Sequence, residues 1–314
     1  MPSILVIGSV NTDMIVKLPH LPAIGETVLG NAFYKLPGGK GANQAVAAQR
    51  AGGQVTFVAC VGDDAFGQES IAGYQRDGID VSHMKVIPGV STGVALINVD
   101  NQGRNMITVA SGANLQLTTA VIQEQRALIE QAEVLLLQLE TPLDAVIAAI
   151  EIAHRAKRFI ILNPAPAQVL PRELYSKITL MTPNETEAEI LTGIKVTDSA
   201  SARKAAECLR SYGVKQVIIT LGAQGIFYSA DPVCEHIPCF KVNAVDTTAA
   251  GDVFNGALAA ALSQKKSFRE ALDFAQAASA LSVTKVGAQS SVPKFEEIER
   301  FSKAAPHPIF ADSP

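Results

Sequence analysis

Six short runs of apolar, largely β-branched residues recur along this chain, with longer stretches of helical apolar spacing between them. The runs are Ile4–Ile7, Val55–Val61, Val134–Leu137, Phe159–Leu162, Ile178–Met181 and Val217–Thr220. They are apolar at consecutive rather than alternate positions, so both faces of each strand need cover. Candidate helices fall at about Ala42–Ala51, Phe66–Arg76, Leu143–Ala156 and Ser199–Tyr212. Strand–helix alternation of this kind predicts an α/β fold, a mainly parallel sheet with right-handed crossovers and helices on both faces. From about Thr248 the pattern turns helical, through Ala249–Leu262, Phe268–Val283 and Lys294–Lys303.

Two stretches break that rhythm. Residues 14–36 and 92–109 contain half-polar runs, and Val94–Val99 and Asn105–Val109 are joined by the turn-forming Asp100-Asn101-Gln102-Gly103. Both stretches are read as antiparallel strands of a small separate sheet, a lid over the main one. The apolar edges of so small a sheet predict pairing between two subunits, a homodimer. One domain over residues 1–305 is expected, with residues 306–314, which include Pro306, Pro308 and Pro314, as a frayed tail.

With 48% hydrophobic and 18% charged residues in 314, the chain is too apolar for disorder. Its 26 Lys+Arg against 30 Asp+Glu leave a net charge of −4, which argues against nucleic-acid binding. No run of apolar residues is long enough to span a membrane, and the start shows no targeting segment. Cys60, Cys208, Cys234 and Cys239 have no partner His at zinc spacing, so they read as reduced thiols, and the cytoplasm is the expected compartment.

The strongest local signal is Asp246-Thr247-Thr248-Ala249-Ala250-Gly251-Asp252, small residues opening a helix. The unpaired N–H groups of such a first turn suit an anion, and the helix dipole favours negative charge there. Asp252 would then face a bound phosphate; equally, it is an N-terminal carboxylate on a closely packed helix. A second segment, Pro37-Gly38-Gly39-Lys40-Gly41-Ala42-Asn43, enters a helix and permits close backbone approach to a ligand, or simply makes a tight turn. It lacks the Ser/Thr and glycine spacing of a Walker A loop. Asn11 and Asp13 follow the first strand, where an open parallel sheet binds ligands, and could hold a polyol or merely solvate a loop. Asn184 and Glu187 read either as a helix capping box or as oxygens for hydrated Mg2+. Thr220-Leu221-Gly222-Ala223-Gln224-Gly225 could cradle a nucleotide or form a hairpin turn.

Taken together, in this order at successive strand ends, these segments resemble the ribokinase-like carbohydrate kinases from Ile4 to about Phe301. The resemblance rests on Gly38–Asn43, Asp246–Asp252 and Asn184–Glu187. It implies the three-layer fold of that family with a β-sheet lid, and ATP-dependent phosphorylation of D-ribose at O5, with Mg2+ required and K+ activating. It further implies Asp252 as general base, with Ala249, Ala250 and Gly251 supplying an anion hole. Asn11, Asp13, Gly39, Lys40, Asn43, Glu140 and Asp252 would bind the sugar. Asn184, Glu187, Thr220, Gly222, Gly225, Gly251 and Gln276 would serve the nucleotide and its metal, Gln276 standing where Asn or His is expected. A monovalent cation would lie among Asp246, Thr248, Ser282, Lys285, Gly287 and Ser291, held mostly by carbonyls. Two other readings stay open: a sibling kinase for another sugar or a nucleoside, and a non-catalytic sugar or nucleotide sensor. No Gly-x-Gly-x-x-Gly follows the first strand, which disfavours a dinucleotide oxidoreductase.

Overall fold

The structure, a computed structural model, describes residues 3–304. The first strands are β1 (Ile4–Ile7), β2 (Asn11–Leu18), β3 (Ala32–Gly38), β4 (Val55–Val58), β5 (Cys60–Gly62), β6 (Lys85–Ile87), β7 (Gly93–Asp100) and β8 (Asn105–Ala110). There follow β9 (Val134–Leu137), β10 (Phe159–Leu162), β11 (Leu180–Met181), β12 (Gln216–Thr220), β13 (Ile226–Ser229) and β14 (Cys234–Ile237). The helices are α1 (Lys40–Arg50), α2 (Ala65–Arg76), α3 (Thr119–Glu124), α4 (Arg126–Gln131), α5 (Leu143–Arg155), α6 (Glu185–Thr192), α7 (Ser199–Ser211), α8 (Ala250–Ser263), α9 (Phe268–Ser282) and α10 (Phe295–Ala304). The tail expected at residues 306–314 lies outside the described residues.

Eight strands form the main sheet, in the order β14-β13-β12-β11-β10-β9-β1-β4. Six of them run parallel, and β13 and β14 extend the edge antiparallel through the turn at Gly222–Gln224. Alternate residues of one strand serve opposite layers. Ile4 and Val6 pack into a core with α1, α8 and α9, whereas Leu5 and Ile7 pack into one with α5 and α7. Burial on both faces explains the consecutive apolar residues, each full burial contributing about 1.5–3 kcal/mol.

The expected strand Val55–Val61 divides at Ala59, whose carbonyl accepts from Lys85 N at 2.9 Å. There the chain leaves the main sheet, and β5 pairs with β6 in a two-stranded sheet of its own. The lid is a four-stranded sheet, β3-β2-β7-β8, and corrects two expectations. Its central pair, β2 and β7, is parallel, because the intervening chain crosses through α1, β4 and α2 before returning. Asn11 and Asp13 are not in a loop; they open β2, which enters the lid directly after Gly8-Ser9-Val10. The turn at Asp100–Gly103 is a hairpin, as its residues require. Asp100 accepts from the amides of Gln102 and Arg104, both at 2.9 Å, and Gly103 takes a φ of 78°.

Close helix packing positions the chemistry. Buried alanines face one another from α1 (Ala42, Ala45, Ala48) and α8 (Ala257, Ala260, Ala261). Gly256 sits so near α1 that a Cβ there would lie 2.5 Å from the Gln44 carbonyl oxygen. That approach brings the first turns of the two helices, and so Asn43, Gln44 and Asp252, to one point.

Candidate active site

The site lies beyond the carboxyl ends of the parallel strands. Asn11 and Asp13 follow β1, Gln138 and Glu140 follow β9, Asn163 follows β10, and Thr182 and Asn184 follow β11. Asp252 occupies the first turn of α8 and is 6% exposed. Its Oδ2 accepts from Asn43 Nδ2 at 3.0 Å and its Oδ1 from Gln44 Nε2 at 2.9 Å. Gln44 is fixed in turn: its Nε2 donates to Asn163 Oδ1 at 3.0 Å, and its Oε1 accepts from Gln138 Nε2 at 2.6 Å. The network continues from Asn163 to the Thr182 carbonyl (3.0 Å), from the Thr182 hydroxyl to Asn255 Oδ1 (2.7 Å), and from Asn255 Nδ2 to the Gly251 carbonyl (2.8 Å). Buried amides wired in this way hold a carboxylate in one orientation.

Burial pushes the Asp252 carboxyl above its ordinary range, and the charge of Lys40 and the amides of Gln44 and Asn43 offset part of that. Asp252 is therefore a stronger base than an ordinary aspartate. Lys40 is held above its usual range, first by the charge of Asp252 against the opposing effect of burial, then by Glu140, Glu187 and Asp13. One cation thus serves four carboxylates. Burial, followed by the charges of Glu140 and Asp252, raises Asp13 to about 6.

The sugar-side residues expected from the sequence come together here. Glu140 Oε2 accepts from Ser9 Oγ at 2.6 Å and from Lys40 N at 3.0 Å. Asn11 Oδ1 accepts from Asn114 Nδ2 at 2.8 Å, and Asn114 also binds the amide and carbonyl of Val10. Gly39 caps α1 at a φ of 90°, where a Cβ would lie 2.7 Å from Asn11 N. A side chain there would be strained and would collide with the strand that carries Asn11.

The start of α8 alters one expectation. Ala249 caps the helix in the left-handed region, at a φ of 59°, a conformation that costs a non-glycine residue about 1–2 kcal/mol. The Ala250 amide already donates to the Thr247 carbonyl at 3.2 Å. It is not one of the free anion donors; those of Ala249, Gly251 and Asp252 find no acceptor among the described residues.

Two cavities meet at this helix start. A cavity of about 170 Å3 is lined by Lys40, Asn184, Glu187, Gly251, Asp252 and Asn255. A second, of about 380 Å3, is lined by Gly222, Gly225, Phe240, Val242, Phe254 and Gln276. Thr220, Thr247, Ala250 and Gly251 border both. Gln276 is 4% exposed, and neither its Oε1 nor its Nε2 has a partner among the described residues. A buried amide left unpaired inside a cavity is poised for a polar ligand edge.

Asn184 and Glu187 do form a capping box: Glu187 N donates to Asn184 Oδ1 at 2.8 Å, and Asn184 N to Glu187 Oε2 at 2.9 Å. Glu187 Oε1 has no partner among the described residues, and burial raises this carboxyl, so one cavity-lining oxygen fits a hydrated divalent ion. Asp246 accepts from Thr248 N (2.9 Å), Thr248 Oγ1 (2.6 Å) and Gly287 N (2.8 Å). Burial alone would raise its carboxyl, yet these bonds together hold it below the usual range. Among the described residues the carbonyls of Asp246, Thr248, Lys285, Gly287 and Ser291 accept no hydrogen bond, an oxygen set that fits a large monovalent cation. Ser282 departs from that set, since its carbonyl accepts from Lys285 N at 3.1 Å.

Ser9, Gln44, Asn114, Gln138, Asn163, Thr182 and Asn255 belong to the site and were not picked out from the sequence. Gln138, Asn163 and Thr182 each stand immediately after an apolar strand, and that position was the signal available for them.

A buried carboxylate lining a polar cavity, beside free helix-start amides where that cavity meets an apolar one, suits transfer of a phosphoryl group to a small molecule. The family model for pfkB family carbohydrate kinases matches residues 1–295, and the chain belongs to that family. It is 47% identical to a ribokinase of Haemophilus influenzae over 303 residues, 96% of this chain and 99% of that one. A crystal structure of ribokinase from Thermotoga maritima, 40% identical, superposes with a TM-score of 0.89 over 96% of this chain and 100% of that chain. Ribokinase of Arabidopsis thaliana complexed with ribose and ATP, 31% identical, gives 0.90 over 96% and 99%. The eight-stranded sheet and separate lid are therefore the fold the sequence implied.

Proposed function

We propose that this kinase transfers the γ-phosphoryl group of ATP to O5 of D-ribose, giving ribose 5-phosphate and ADP. The single observation that carries the reading is that buried Asp252 lines the small polar cavity directly beside Gly251, which borders both that cavity and the larger apolar one. Asp252 accepts the O5 proton as O5 attacks the γ-phosphorus and the bond to the ADP oxygen breaks. A positioned base of this kind is worth about 10²–10⁴-fold in rate. The free amides of Ala249, Gly251 and Asp252 supply dipoles fixed before the reaction for the charge on the transferring group. Asn11, Asp13, Lys40, Asn43 and Glu140 orient the sugar, and Gln276 faces the nucleotide base. Mg2+ held through Glu187 and water would neutralise the nucleotide phosphates, and K+ on the carbonyls around Asp246 would order the loop that ends at Asp252.

The lid sheet closes over the sugar side and excludes water. Its strands leave Phe33, Tyr34, Leu96, Met106, Ile107 and Val109 exposed, which supports a homodimer formed through the lid. Sedimentation at micromolar concentration is expected to give twice the chain mass; a monomer would contradict that pairing. Four free cysteines support a reducing compartment, the cytoplasm. Among the described residues no helix is long and apolar enough to cross a membrane.

The test is an ADP-release assay over pentoses, hexoses and nucleosides, with and without K+. D-ribose is expected to be best. 2-Deoxyribose should lose about 10–100-fold in kcat/KM, because a missing hydroxyl leaves a buried group unpaired at about 1–3 kcal/mol. A better hexose or nucleoside would make this a sibling kinase, and ligand-induced thermal stabilisation without ADP would make it a sensor. Equal turnover in K+ and in a tetraalkylammonium salt would remove the cation from the scheme.

A further inference from the structure

We propose that Gln289 is a positioning residue for Asp252, acting through Asn43; the inference rests on the reading of Asp252 as the base. Gln289 lies between α9 and α10, 6% exposed, within the segment whose carbonyls suit the monovalent cation. Its Nε2 donates to Asn43 Oδ1 at 3.1 Å, and Asn43 Nδ2 donates to Asp252 Oδ2 at 3.0 Å. A carboxamide has one accepting and one donating end. With its oxygen engaged by Gln289, Asn43 must present its N–H to the carboxylate. Turned around, it would set oxygen against carboxylate at one end and donor against donor at the other. With its own carboxamide oriented as in the structure, Gln289 therefore penalises the reversed Asn43 a second time, at the end away from Asp252.

Gln289 is itself anchored. Its backbone carbonyl accepts from Arg50 Nη1 at 2.6 Å, and Arg50 is gripped by Asp77 through Nε (3.0 Å) and Nη2 (2.8 Å). Two residues earlier, Gly287 N donates to Asp246 Oδ2 at 2.8 Å. The 287–289 segment thus grips the catalytic loop at both ends, at Asp246 directly and at Asp252 through Asn43. The two oxygens of Asp252 are held from different sides: Gln44 ties one to the strand ends, and Gln289, through Asn43, ties the other to this segment. Asn43 donates to the ionised carboxylate, so loosening it makes Asp252 harder to ionise.

The experiment uses Gln289→Met, which keeps length and removes the donor, and Gln289→Glu, which puts an acceptor against Asn43 Oδ1. Both are measured alone and in an Asn43→Ala background, with thermal melts to confirm folding. The expected result for Gln289→Met is kcat about 3–10-fold lower at pH 7, near-normal KM for ATP, and an acid limb of kcat displaced upward by about half a pH unit or more. Gln289→Glu should lose more, and in the Asn43→Ala background Gln289→Met should add less than twofold. A kcat limb unmoved in both variants, or losses that multiply fully with Asn43→Ala, would overturn the proposal. Should one variant fail to fold, the other decides it by the same limb. Asp252→Asn separates the premise: turnover retained there refutes the base itself, whereas turnover lost there with an unmoved Gln289 profile refutes only the relay.

Discussion

The two halves of this site, the one proposed to take the sugar and the one proposed to take the nucleotide, are built on opposite plans. In the half proposed for the sugar, Asp252, Glu140 and Asn11 each carry at least one hydrogen bond from a buried or backbone partner. The cavity proposed for the nucleotide is largely apolar, and its buried amide, Gln276, has no partner among the described residues. Preorganised polar groups discriminate strongly, because a wrong ligand strands them; an apolar cleft tolerates variation. Selectivity for the acceptor should therefore exceed selectivity for the donor.

The sharpest test of that contrast is Asp252→Asn, which keeps the shape and removes the base. We expect kcat to fall about 10²–10⁴-fold while calorimetric ribose affinity changes only slightly. Asp13→Asn comes next, with kcat/KM for ribose lower by about 10–100-fold. The same change should stabilise the free protein. The folded-state value of Asp13, about 6, lies above the ordinary 3.8, so its contribution to stability is present below about pH 4 and lost as pH rises through 6. At pH 8 the asparagine variant should be more stable by about 1–3 kcal/mol, an advantage that shrinks towards pH 4. Melts showing the reverse trend would contradict the raised value. Gly256→Ala tests the helix contact beneath the base: with a Cβ 2.5 Å from the Gln44 carbonyl oxygen, about 1–3 kcal/mol of stability should be lost, and kcat with it. Gln276→Leu should be mildest, KM for ATP rising less than about 10-fold while the free protein gains about 1 kcal/mol. A larger loss than at Asp13 would break the contrast between the two halves.

The alternation of apolar runs and helices was enough to read the parallel sheet, because strands covered on both faces leave little choice of residue. The edge was less legible. Ile226–Ser229 and Cys234–Ile237 are short strands paired antiparallel through a turn, with no helix between them to announce a crossover. In the site, the glycine- and alanine-rich helix starts pointed to Gly39, Lys40, Asn43 and Asp252, since close backbone approach restricts composition locally. Gln44, Asn163, Thr182 and Asn255 carry no such mark. Their roles arise from contacts between residues as far apart as Gln44 and Asp252, brought together by the packing of α1 on α8. Nothing in the sequence around Asp252 marks its basicity as unusual; burial in the folded chain is what raises it.

The central claim is that the acceptor hydroxyl meets Asp252 in the polar cavity while the transferring phosphate lies on the free helix-start amides beside it. A crystal structure with D-ribose and a non-hydrolysable ATP analogue measures this directly. The account predicts ribose O5 within hydrogen-bond distance of an Asp252 carboxylate oxygen and the terminal phosphate on the Gly251 amide. An O5 directed away from Asp252, or a terminal phosphate remote from the start of α8, would contradict it.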